Sequence, residues 1–175
     1  MALTVEDGTG LAAADSYQTV ADIDTYNTNH GNASKWRDLT LQQKEEKARL
    51  AAQGLDLEFH NQWLGRKRVD GQGLDFPRVE IEDPIDGFII SETSVPKPIL
   101  DAHAELAIEI ALGKTIHSAQ SDSAAIKRQR KKLDTLEIET EYSGSKAGTA
   151  VADFPRIERL VSRLTTGDTG TVFRG

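Results

Sequence analysis

Apolar residues along this chain recur with two spacings, and each predicts a different element. Thr19 and Asp22 form a capping box before Val20, Ile23, Tyr26 and Asn27, which lie on one face of a first helix that Gly31 stops. Thr40 and Gln43 repeat the device, and Leu41, Ala48, Ala51, Ala52, Leu55 and Phe59 then predict a longer helix over about 41–60. Beyond Pro98, Ile99, Ala102, His103, Leu106 and Ile110, with Ala104, Ala107, Ile108 and Ala111, give a wide apolar face up to Gly113, the most buried helix of the set. Phe154-Pro155 opens a last helix with Ile157, Leu160, Val161 and Leu164 on one side. The other spacing is two: Leu136, Ile138, Thr140 and Tyr142 alternate with Glu137, Glu139 and Glu141, as in a half-exposed strand. Its expected partner is 124–131, which makes a β-hairpin with one basic and one acidic arm.

The fold class expected is therefore mainly α (α+β), a small bundle of about four helices with a β-hairpin and extended termini. Residues 1–14 read as an extended N-terminal arm with a turn at Asp7-Gly8. Gly and Pro break up 64–98 into an ordered loop, and small residues make loops of 115–125 and 143–152. One domain over 1–164, including a hairpin at about 124–142, is expected to precede a flexible tail at 165–175. A length of 175 residues suits that organisation.

Composition narrows the function. The chain has no cysteine, which removes thiol nucleophiles, zinc–thiolate sites and iron–sulfur clusters, and it points to a reducing compartment such as the cytoplasm. No run of about 18 apolar residues and no leader pattern is present, so no membrane partner is expected. A formal charge of -7 argues against a surface that grips phosphate everywhere.

Candidate chemistry is sparse. His103-Ala104-Glu105 matches half of a zinc-deaminase signature whose other half needs two thiolates. His30, His60 and His117 lack metal-ligand spacing, and Gly8-Thr9-Gly10 and Gly71-Gln72-Gly73 lack the third glycine of a dinucleotide loop. Glu80, Glu82, Asp83 and Asp86 lack the spacing of a calcium loop and read as a solvated acidic loop. No enzyme, cofactor or metal is expected. Two basic clusters remain: Arg66-Lys67-Arg68, with Trp63 beside it as a ring on which a base could stack, and Lys127-Arg128-Gln129-Arg130-Lys131-Lys132. Trp63 and Trp36 read most simply as core or rim aromatics with no ligand.

Ordered short motifs carry a resemblance. Thr4-Val5-Glu6-Asp7-Gly8-Thr9-Gly10, Ala14-Asp15-Ser16-Tyr17, Tyr26 and Gly31-Asn32 are followed by Leu55-Asp56, Trp63-Leu64-Gly65-Arg66, Phe76-Pro77-Arg78, Val95-Pro96 and Ala104-Glu105-Leu106-Ala107. Over about the first 115 residues this order resembles head-tail connector (adaptor) proteins of tailed bacteriophages. The same pattern is also labelled a DnaT-like single-stranded-DNA-binding domain, which supplies the alternative function. The connector resemblance implies a structural protein of the virion neck, made in the host cytoplasm. It would form a ring of about 12 copies that binds the portal protein and a downstream neck, stopper or tail protein while double-stranded DNA passes. On that reading the portal-docking residues are Phe154, Arg156, Ile157, Leu160, Arg163, Leu164, Phe173 and Arg174. Glu137, Glu139 and Glu141 would line the channel, or equally face solvent. In the alternative, Trp63, Arg66, Lys67, Arg68, Lys127, Arg128 and Arg130 would touch nucleic acid.

Overall fold

A computed structural model describes residues 2–31, 33–114, 129–133, 136–140 and 154–166. The chain divides into two compact units, residues 1–114 with 154–175, and residues 115–153.

In the larger unit, α1 (Val20–His30) and α3 (Leu41–Phe59) start where their capping boxes predict, with Thr19 and Thr40 accepting from the backbone N–H of Asp22 and Gln43. Between them lies a short α2 (Ser34–Arg37), which the sequence reading missed because four residues carry no periodicity. It seats Trp36 in the core, where the indole N–H donates to Asp24 Oδ1 at 2.7 Å.

The central helix is α4 (Lys97–Ala111), which packs against α1, α2, α3 and the terminal α5 (Pro155–Val161). It begins one residue before Pro98, which sits in the first turn, where a missing N–H leaves no hydrogen bond unmade. Ala48, Ala51 and Ala52 of α3 and Ala102, Ala104 and Ala107 of α4 are fully buried, so small side chains let these helices approach closely. Ile110 and Ala111 are half-exposed, because the buried face of α4 ends at Ile108.

The stretch between α3 and α4 is ordered as expected, though by means the sequence did not reveal. Two-residue strands β1 (Arg66–Lys67) and β2 (Arg78–Val79) pair antiparallel, Arg66 opposite Val79. Gly65 has φ +63° just before this ladder, and a Cβ there would lie 2.2 Å from the Val79 carbonyl oxygen, so the turn requires glycine. Phe76 and Ile81 from this stretch are buried in the core.

The N-terminal arm is extended but held. Val5 bridges Ser16, Glu6 N–H donates to Ser16 O at 2.9 Å, and Thr4 N–H donates to Asp15 Oδ1 at 2.8 Å. The buried Glu6 carboxylate accepts from the N–H groups of Gly8, Gly10 and Leu11 at 2.8–2.9 Å, a nest that fixes the whole turn. Thr165 and Thr166, placed in the tail by the sequence reading, are also tied in: Thr165 bridges Trp63, and Thr166 N–H donates to Gln62 O at 2.6 Å.

In the smaller unit, β3 (Gln129–Leu133) and β4 (Leu136–Thr140) form an antiparallel hairpin. The mainly α class with a small hairpin is thus the observed one. The basic strand starts five residues later than the expected 124, and its register sets Arg130 opposite Glu139 and Lys132 opposite Glu137.

Candidate functional site

The first basic cluster lies on β1 and the residue after it, and each of its cations has an internal partner. Arg66 forms a bidentate pair with Glu80, Nη2 to Oε1 at 2.8 Å and Nε to Oε2 at 3.2 Å. Both side chains are about two-thirds exposed, at 67% and 64%. The paired carboxylate raises the arginine's pKa and the arginine lowers that of Glu80. Lys67 Nζ lies 3.0 Å from the buried Asp75 Oδ1. Arg68 Nη1 donates to the carbonyls of Gly8 and Glu92 at 2.9 and 2.8 Å, which ties the N-terminal turn to this loop. Arg78 on β2 reaches the carbonyls of Leu64 and Gly65, and burial pulls its pKa down.

Trp63 is not the open stacking ring that the nucleic-acid reading requires. It is 6% exposed, packed between Phe59 and Phe76 with ring centroids at 5.3 and 5.0 Å. The rings of Phe59 and Phe76 against it outweigh its position beside three cations, which is why the sequence pattern misleads there.

Beneath the cluster is a group of polar side chains that sequence reasoning missed. Tyr17 donates its hydroxyl to Asp56 Oδ1, and the same oxygen of Tyr17 lies 3.2 and 3.3 Å from the N–H groups of Asp75 and Phe76. Asp56 Oδ2 accepts from Asp75 N–H at 2.9 Å. Burial, helped by the charge of Asp75 and opposed by the Tyr17 hydrogen bond, pushes the Asp56 carboxyl up to about 7. Asp75 Oδ2 has no hydrogen bond, and His60 Nδ1 lies 3.5 Å from it. A signal was present in the sequence: Asp56 continues the buried stripe 48, 52, 55, 59 of α3, where a carboxylate must find partners.

His103 is a core residue. Fully buried in α4, it donates from Nε2 to Ala48 O at 2.9 Å, and burial pulls its pKa down to about 4. Among the described residues no group of three His, Cys, Asp or Glu is placed to hold a metal ion, and no helix is long and apolar enough to cross a membrane.

The expected docking residues separate into two kinds. Ile157 and Leu164 are buried in the domain, whereas Leu160 is half-buried. Arg156 pairs with Glu105 at 3.2 Å, Arg163 with Asp83 and Asp86, and Lys114 Nζ lies 5.7 Å from the ring centroid of Phe154. Phe173, Arg174, Lys127, Arg128 and Glu141 lie outside the described residues. Arg130, Glu137 and Glu139 are placed by backbone register alone.

A family model described as "Putative DnaT-like ssDNA binding protein" matches residues 1–175. The chain belongs to this family. No curated protein and no solved structure matches it. The DnaT-like description corresponds to the alternative of the sequence reading, and nothing in the match speaks for a head-tail connector. Within the 66–68 cluster of this DnaT-like chain, the cation whose partner is itself well exposed is Arg66.

Proposed function

We propose that the chain is a single-stranded-DNA-binding module without enzymatic activity. The observation that carries this reading is the family match over the full length. The geometry narrows which residues serve. Arg66 is held only by an exposed carboxylate, and solvent screens such pairs so that they contribute little, so a phosphate can take the place of Glu80. Lys67, half-exposed, stands next to it, and the basic strand β3 supplies the second cluster. Arg68 and Arg78 stay on their carbonyls and Trp63 stays in the core.

The test is anisotropy of a labelled oligothymidylate. Arg66→Ala is expected to weaken binding several-fold and to lower the salt slope by about 0.7, one phosphate contact on a single strand. Glu80→Gln, which frees Arg66, is expected to strengthen it. Binding that neither substitution changes would remove this surface from the interface.

A second reading keeps the connector role: a virion-neck ring of about 12 copies that joins the portal protein to a neck, stopper or tail protein. Two observations favour it. The cations at 66–68 are internally paired, and an apolar loop tip at 85–89 stands in solvent. Deleting residues 167–175, beyond the last described contact at Thr166, is expected on this reading to abolish binding to isolated portal rings. Unchanged binding would remove the C-terminus as the dock.

A further inference from the structure

Ile85, Phe88 and Ile89 are 68%, 73% and 69% exposed. No other five-residue stretch among the described residues exposes three large apolar side chains, and such concentration on a surface marks a contact site. The loop that carries them is built rigidly. Asp83 Oδ1 accepts from the N–H groups of Ile85 and Asp86 at 2.8 and 3.1 Å. Asp83 N–H donates to Phe88 O, Gly87 N–H donates to Asp83 O, and Glu82 bridges Ile89. Arg163, from the segment after α5, clamps the loop with Nη1 alone, 3.3 Å from Asp83 Oδ2 and 2.8 Å from Asp86 Oδ2.

We infer that this tip packs against the same tip of a second copy across a two-fold axis. An isologous contact demands self-complementarity, since each residue must meet its partner's counterpart. The apolar centre can bury itself against its twin. At its edge Glu82 is exposed and unpaired among the described residues, while the Nη2 of Arg163 makes no bond to either clamped aspartate. A two-fold axis through Phe88 lets the Glu82 of each copy meet the Arg163 of the other. Arg163 also neutralises part of the loop's negative charge, which would otherwise keep two tips apart.

The area sets the strength. Three large apolar side chains exposed by about two-thirds offer on the order of 400 Å² per copy, so on the order of 800 Å² in all, below the roughly 1,200 Å² of a standard stable interface. The dimer is therefore weak and reversible, with a dissociation constant on the order of 100 µM. Such a contact acts when copies are already concentrated, as along a strand or in an assembly. It does not depend on DNA binding.

Absence of cysteine allows a direct test. Ile85→Cys is oxidised at high protein concentration beside a control, Leu57→Cys, at a solvent-facing position on α3 that is 56% exposed. A two-fold tip contact predicts that the Ile85→Cys disulfide dimer forms at least about tenfold faster than the control's, because bridged Cα atoms must come within about 7 Å. The excess should persist at high salt, where phosphate binding is lost. Adding Phe88→Asp, a surface change that leaves the loop's hydrogen bonds intact, should return the rate to that of the control. Equal rates for the two single-cysteine proteins, or an excess that Phe88→Asp leaves unchanged, would overturn the inference.

Discussion

Single residues decide two properties of this chain, its pH response and the role of Trp63. Asp56 and His103 are buried with pKa values moved past each other, up to about 7 and down to about 4 from the usual 3.8 and 6.5. A raised carboxyl makes the folded state bind the proton more tightly, so its contribution is present below pH 3.8 and lost as pH rises through 7. A lowered imidazole contributes above pH 6.5, and that contribution is lost as pH falls towards 4. The two slopes oppose each other between about pH 4 and 6.5, and the wild type should show a nearly flat thermal stability there. Asp56→Asn should expose the histidine's slope, with melting temperature falling as pH drops from 6.5 to 4. His103→Gln should expose the opposite slope, rising over the same range. Parallel profiles for the two variants would contradict these assignments.

Trp63 invites a second residue-scale prediction. Its indole N–H is buried without a partner, so Trp63→Phe removes an unmet donor and keeps most of the packing. The variant should lose under about 1.5 kcal/mol by denaturant unfolding. Its affinity for single strands should stay within about twofold of wild type. A tenfold loss of affinity in a fully folded variant would return Trp63 to the interface.

At the scale of elements, legibility followed local chemistry. Capping boxes at Thr19 and Thr40 placed two helix starts to the residue, because a side-chain cap is a contact between near neighbours in sequence. Thr40→Ala should therefore cost about 1 kcal/mol, measurable as a lower urea midpoint with unchanged slope. No cost would mean that packing on α4 alone holds the start of α3. What stayed illegible depends on distant partners. The arm before Asp15 looks unable to fold by its apolar content, yet Glu6 holds it through three backbone N–H groups and Arg68 reaches it from 60 residues away. The cations at 66–68 look free in sequence, since their partners Glu80, Asp75, Gly8 and Glu92 are brought in only by the fold. The hairpin was legible in kind from the alternation of strand β4 but not in register, because a run of six basic or polar residues at 127–132 has no apolar beat to fix the pairing.

For the whole molecule, charge is the constraint that any nucleic-acid role must meet. The chain carries -7, and in the helical unit the cations at 66–68 and 78 are matched by carboxylates or carbonyls within hydrogen-bond reach. On the proposed reading strand binding rests on few phosphate contacts, with Arg66 and Lys67 of the helical unit among them. The direct measurement is the equilibrium binding of full-length protein to an oligothymidylate from about 20 to 200 mM salt. Measurable affinity is expected at the low end, with a log–log slope of about -2 to -3, the value for three or four phosphates on a single strand. No binding at the lowest salt would contradict it.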